Sequence, residues 1–240
     1  PFLEGLSEKG LKGSGKPVTQ SFDVKEVKGL KAGGSFEVTI TPDSAPLTVT
    51  CDDNLLPHLV HKIEDGILSL GFDRGVSSRL PLKASVGIKA LERLDLSGAC
   101  SLKAESVDCS SLKADFSGAS KAEISGRVQK ADLTLTGSSF LVLDSSPEEA
   151  RFDVSGASKL EIDGKGMMKK LSGDVSGASY ARVAPQIEEA ELKLSGASSV
   201  EVDAKKLMGS ASGASEMKLR SKPVAESFEV SGASSRSLTE

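Results

Sequence analysis

The chain has 240 residues, 38% of them hydrophobic and 27% charged, and a formal net charge of −4. That balance fits a soluble globular protein of one or two domains and excludes the basic face that nonspecific nucleic-acid binding needs. No apolar run approaches the roughly 18 residues of a membrane span. The eight Phe, one Tyr and absent Trp fit a narrow interior filled by short aliphatic side chains.

Residues 1–16, PFLEGLSEKGLKGSGK, are rich in Gly, Lys, Ser and Glu and read as a flexible leader or tether. The chain opens with Pro1 and not Met, so a processed or trimmed chain is expected. Residues 17–90 form an N-terminal β region. FDVKEV, SFEVTI, LTVTC, ILSLGF and LKASVGI each alternate or carry β-branched residues between Gly, Pro or Asp punctuation. DDNLLPHLVHKIEDG reads as a helical turn followed by a tight Asp65-Gly66 turn. His58 and His61, with Asp52 and Asp53 upstream, resemble part of a metal site. Two histidines without a settled third or fourth ligand fall short of one, so a surface turn is the better reading and no metal or cofactor is expected. Cys51, Cys100 and Cys109 are odd in number and fit no zinc spacing, and read as buried free thiols.

From Leu91 the chain repeats. Ser-Gly-Ala-Ser or a close variant begins at Ser97, Ser117, Thr136, Ser155, Ser176, Ser195, Ser212 and Ser231, at intervals of 17 to 21 residues. Eight copies at a nearly fixed period indicate a repeat architecture. The residue before each copy, and those five and seven after its start, are apolar in nearly every copy. Such period-two alternation marks the inward face of strands. Two short strands per coil, meeting at a Gly-containing corner, are expected, with the rest of the period closing the coil. The fold class is therefore all-β: a right-handed parallel β-helix of about eight coils over residues 91–240, with 17–90 covering its first coil and continuous with it. The hand follows from the preference for right-handed crossovers. Gly98, Gly118, Gly137, Gly156, Gly177, Gly196, Gly213 and Gly232 mark the corners, where positive φ or a lack of room for Cβ is expected. A phosphate-cradling role would need a helix N-terminus that these strands do not provide.

The outward columns carry charge. Glu161, Arg182, Glu201 and Lys218 alternate in sign and should lie side by side on successive coils, about 4.8 Å apart. Asp95, Asp115, Asp153 and Asp174 form a second column. Alone it would suggest a cation stripe, but Arg93, Lys113 and Arg151 stand two residues before members of it, so local neutralisation is the better account. At the last copy Arg236 replaces an inward aliphatic residue, and is expected to reach solvent and blunt the open end of the stack.

The Gly-Ser-Gly opening and first strands of LKGSGKPVTQSFDVKEVKGLKAGGSFEVTIT, the segment LPLKASVGIKALERLDLSGAC and the SGAS coils resemble the "putative auto-transporter adhesin, head GIN domain" family of bacterial envelope proteins. The resemblance covers nearly all of residues 14–240. It implies a secreted or lipid-anchored adhesin-like protein in the periplasm or outside the cell, touching the membrane only through a removed N-terminal lipid anchor. It carries over no catalytic motif.

A β-helix also hosts pectinase-like, polysaccharide-degrading enzymes, which is the alternative function. Those enzymes need clustered carboxylates on one outer face, and the only candidate column here sits beside cations. Eight equivalent serines lack the dedicated base a nucleophile requires. No catalytic residue is assigned. Phe140, Val142 and Tyr180 break the polar rule on the outer surface, Tyr180 sharing the Phe140 column across Lys159, and are the candidate contact patch. The reading is a non-catalytic envelope binding protein with a glycan or protein as surface ligand and no nucleic-acid partner.

Overall fold

A computed structural model describes residues 10–239. It is a parallel β-solenoid whose strands stack coil on coil with apolar side chains turned inward. Each coil has a first face leading into the glycine corner and a second face leading out of it. In the first repeated coil these are Arg93–Leu96 and the start of Ser101–Phe116. The expected two strands per coil are one too few in several coils. Val107–Cys109 pairs with Gly126–Val128, and Met167 and Met168 with Gln186 and Ile187, giving a short third face. The backbone bends into that face at Ser106, which holds φ at 58°.

The corner glycines show why no other residue serves. Their φ values run from 68° to 79°, the left-handed region that Cβ disfavours. A Cβ on any of the eight would also fall within 3.0 Å of the carbonyl oxygen of the glycine below. That oxygen accepts a hydrogen bond from the residue after the next glycine, as in Ala119 N–H to Gly98 at 2.7 Å and Ala157 N–H to Gly137 at 2.7 Å. The fourth motif residue points inward: Ser120, Ser139, Ser158, Ser179, Ser198 and Ser215 are all buried. Burial of a hydroxyl requires a partner. Ser120 donates to the Ser117 carbonyl at 2.8 Å, Ser139 to that of Thr136 at 2.8 Å and Ser215 to that of Ser212 at 2.7 Å.

The narrow core accommodates its few aromatics by alternating size. Leu133, Phe152, Gly173, Leu192, Gly209 and Phe228 form one inward column on successive coils. The Phe152 ring fills the space a Gly173 side chain would occupy. Cys51, Cys100 and Cys109 are buried free thiols, and burial pushes Cys109 up to about 11.

The base of the stack departs from chain order. Gly29–Ala32 and Phe36–Thr41 already form a coil in register with the repeats, with Gly34 one level below Gly98. Beneath that coil lie Ile67–Phe72 and Leu82–Gly87, which come later in the chain. Antiparallel strands finish this end: Leu59–Glu64 pairs with Ile67–Phe72 around the Asp65-Gly66 turn, while Leu47–Asp52 pairs with Leu82–Gly87 and with Pro17–Phe22. The helical turn is a 3-10 segment, Leu56–His58.

The flexible-leader expectation fails where it can be followed; residues 1–9 lie outside the described residues. Leu11–Lys12 pairs with Val76–Ser77. Buried Asp52 accepts from Gly15 N–H at 2.5 Å, from the Ser78 hydroxyl at 2.5 Å and from Arg79 N–H at 3.2 Å. Asn54 accepts from Ser14 N–H and donates to the Lys12 carbonyl, each at 2.8 Å. A Gly-Ser-Gly segment reads as flexible because it lacks side chains, yet its exposed backbone donors make it easy to pin. Burial opposes ionisation of Asp52, but the Ser78, Gly15, Arg79 and Leu80 donors outweigh it and hold the carboxyl below the usual range.

Candidate contact surface

The second face carries the outward column Lys121, Phe140, Lys159 and Tyr180 on four successive coils. Parallel register sets the spacing at about 4.8 Å per coil, so cations and rings alternate. Lys121 Nζ lies 5.6 Å from the Phe140 ring centre, and Lys159 Nζ lies 5.2 Å from Phe140 and 5.7 Å from Tyr180. These are cation–π distances. Lys121 and Lys159 also pair with Glu123 and Glu161 in the next outward column, each at 2.8 Å. The rings are therefore half-buried and flanked by ammonium groups. Val142 lies between Glu123 and Glu161 in that second column and is likewise half-buried. The Tyr180 hydroxyl reaches Glu201 at 3.4 Å; burial, with the charge of Glu201, raises the phenol's pKa. Lys121 went unnoticed in the sequence, although counting four residues on from each corner serine places it in the aromatic column.

The alternating column Glu161, Arg182, Glu201 and Lys218 lies side by side as expected. Its ion pairs run partly elsewhere: Glu161 to Lys159, Lys218 to Glu216 at 3.0 Å, and Arg182 to Asp163 and, at 3.7 Å, to Glu201. Residues two apart on one strand share a face, so they compete with the cross-coil neighbour.

Charge is most regular where the third face meets the first. Glu148-Glu149, Lys169-Lys170, Glu188-Glu189 and Lys205-Lys206 stack in doubled, alternating rows, with Glu148–Lys169 at 2.6 Å, Glu188–Lys205 at 2.9 Å and Glu189–Lys206 at 2.7 Å. The doubled acids and doubled lysines were legible in the sequence at the coil period but were missed, because the loop lengths between them vary.

On the first face, neutralisation of the Asp column holds at its base. Arg93 reaches Asp95 at 3.1 Å and Asp115 at 3.7 Å. Lys113 and Arg151 make no such pair among the described residues, so the expectation fails for Asp153 and Asp174. The histidine cluster is not assembled either. His58 Nδ1 sits 3.2 Å from Asp73, His61 packs on Phe22 with ring centres 3.9 Å apart, Asp52 is buried, and Asp53 accepts from Ser14 at 2.5 Å. No metal-holding group of His, Cys, Asp and Glu occurs among the described residues. No helix is long and apolar enough to cross a membrane.

Arg236 does not simply reach solvent. It forks onto Glu226, and both replace inward apolar residues of the last coil, facing Met217 and Leu207 below.

Comparison with known proteins places this architecture. A structure described as a putative adhesin from Parabacteroides merdae superposes with a TM-score of 0.85 at 17% identity, covering 96% of this chain and 99% of that one. A putative lipid binding protein from Parabacteroides distasonis gives 0.86 at 18%, covering 97% and 100%. A putative adhesin from the same species gives 0.75 at 20%, covering 95% and 99%. These likenesses show a shared fold. No curated protein matches the chain. The family profile described as "putative auto-transporter adhesin, head GIN domain" matches residues 26–203, more than half of the sequence, and the chain belongs to that family.

Proposed function

We propose that the chain is a non-catalytic binding module of the bacterial cell envelope, and that the second face around Phe140, Val142 and Tyr180 is its contact surface. The observation that supports this is the lysine–aromatic column. Rings held between ammonium groups lose little freedom on binding, which lowers the entropic cost of association. Their edges and Val142 give an apolar strip bordered by charge, the composition of an interface core and rim. The ring faces on which a sugar would stack lie beside Lys121 and Lys159, so this strip suits a protein partner better than a glycan. The adhesin descriptions of the family and of its structural neighbours agree with a surface role, and the envelope setting rests on that same resemblance.

The test is retention of envelope and host-surface proteins on immobilised protein, comparing wild type with the Phe140→Ala, Tyr180→Ala double variant. Loss of retained partners with an unchanged melting temperature is the expected result. Because one structural neighbour is described as a lipid binding protein, phosphatidylglycerol vesicles form a second arm. Retention that persists in the double variant removes the second face from the reading, and release of oligosaccharides from an acidic polysaccharide replaces the reading with an enzymatic one.

A further inference from the structure

On the second face the outward side chains form two ranks, two residues apart on every strand. Lys121, Phe140, Lys159 and Tyr180 belong to the first rank, and Glu123, Val142, Glu161 and Arg182 to the second. The ranks keep one register over seven coils, from Ser101 and Lys103 up to Glu216 and Lys218. Within a strand they carry opposite charges. Lys121 stands 2.8 Å from Glu123, Lys159 2.8 Å from Glu161 and Lys218 3.0 Å from Glu216, and all six side chains keep exposed surface.

Two such faces are complementary to each other. A two-fold axis running along the solenoid between the ranks lays the second rank of one copy over the first rank of the other, at the same coil. Lys121 then meets the partner's Glu123, Lys159 the partner's Glu161, and Glu216 the partner's Lys218. Phe140 meets the partner's Val142, so the half-buried apolar centre packs on its own copy. The Tyr180 ring meets the partner's Arg182, a cation–π pairing. Ser101 and Ser199 meet the partner's Lys103 and Glu201. No coil sets like charges against each other. The two strands beneath, with Glu37 beside Thr39 and Lys83 beside Ser85, add no like-charge contact either.

A lysine ammonium has three donors, so Lys121 and Lys159 keep their own carboxylates and take a second one across the interface. With Ser235 and Ser237 above, the matched face has ten strands. At about 4.8 Å per strand it is about 43 Å long and about 15 Å wide, or roughly 650 Å². A standard interface takes about 800 Å² from each partner, so the pairing is expected to be reversible and weakened by salt.

We propose that the second face pairs two copies of this chain side by side and parallel, Phe140 and Val142 forming the centre and the lysine–glutamate rows fixing the register. The proposal rests on the reading of this face as a contact surface and names a second copy as its partner.

The test is sedimentation velocity of the whole chain over a range of concentrations, with two charge variants. The cationic one carries Glu123→Lys and Glu161→Lys, and the acidic one Lys121→Glu and Lys159→Glu. Each alone opposes like charges at two coils, and its dimer should weaken at least about tenfold relative to wild type. Mixed in equal amounts, the two variants oppose unlike charges again, and the dimer should return. That recovery also shows that both variants fold. A wild type that stays monomeric up to about 1 mM overturns the proposal. So does a dimer that survives in either variant alone, or a mixture that stays monomeric. A monomeric wild type whose envelope partners are still lost in the Phe140→Ala, Tyr180→Ala variant removes the second copy and leaves the contact surface. The expected dimer, with retention unchanged in that variant, removes the foreign partner and leaves the self-pairing.

Discussion

The two ends of the described solenoid, within residues 10–239, are built differently. A stack of parallel strands leaves a row of unpaired backbone groups at each end, and such edges invite association. At the base the chain turns antiparallel to close the stack. Strands Pro17–Phe22, Leu47–Asp52 and Leu59–Glu64 run antiparallel across both faces, and the leader is pinned by Asp52 and Asn54. At the far end the last described coil, Ala225–Val230 and Ser235–Leu238, keeps the ladder register, but Val230 is 44% and Leu238 50% exposed. Here the inward positions of the coil change chemistry, Glu226 and Arg236 forming an ion pair where lower coils carry apolar groups. One end is closed by topology and the other is made polar. The first should be sensitive to single buried groups, the second to charge.

At the base, one buried carboxylate collects several donors. Asp52→Ala leaves the Ser78 hydroxyl and the Gly15 and Arg79 N–H groups without their acceptor, and an unsatisfied buried group costs about 1–3 kcal/mol. Gly15 and Arg79 are exposed and their N–H groups can turn to water, so a loss at the low end of that range in denaturant unfolding is expected, with proteolytic release of residues 10–16. The pH dependence has a definite sign. The folded Asp52 carboxyl lies below its usual value of 3.8, so its stabilisation is full above that value and fades as pH falls through the folded one. Asp52→Asn should therefore flatten the decline in melting temperature below about pH 4 relative to wild type. Identical acid profiles for the two proteins would refute the clasp.

Next comes the shaft between the ends. Gly156→Val combines a β-branched side chain at φ 79° with a Cβ within 3.0 Å of the Gly137 carbonyl oxygen. Backbone strain alone costs about 1–3 kcal/mol, and the clash adds to it. Gly34→Ala, where φ is 95° but no atom lies within 4 Å of the Cβ position, should carry the strain without the clash. If the two melting temperatures fall equally, contact between coils is not what fixes glycine at the corner.

At the far end, Arg236→Leu removes the partner of Glu226 and enlarges the apolar surface around Leu238. Its expected signature is self-association in light scattering, with a stability change of about 1 kcal/mol or less, as for other partly exposed pairs. A wild-type dimer that the substitution dissolves would show that the ion pair joins copies instead of separating them. The smallest effect belongs to the charge rows. Glu189→Lys puts a third lysine in line with Lys170 and Lys206 and should lower the melting temperature slightly, more at low salt than at high.

The sequence by itself determined the repeat. Period-two burial and a glycine every 17 to 21 residues admit one register, because a slip of one residue would turn every Leu, Val and Ile outward. The corner, the inward columns and the alternation of Glu161, Arg182, Glu201 and Lys218 follow from that local arithmetic. It did not show that Gly29–Thr41 is itself a coil, since a single copy with Gly33-Gly34-Ser35 in place of the repeated motif has no period to betray it. The pinned leader was hidden for a similar reason: its partners Asp52, Asn54, Val76 and Ser77 lie far along the chain. The same holds for the Glu226–Arg236 pair, whose members look like unrelated exceptions until the last described coil is in place. Periodicity reports what every coil must do to pack on the next. How the base is closed and how the last described coil is finished depend on contacts made once, and only the tertiary structure brings those residues together.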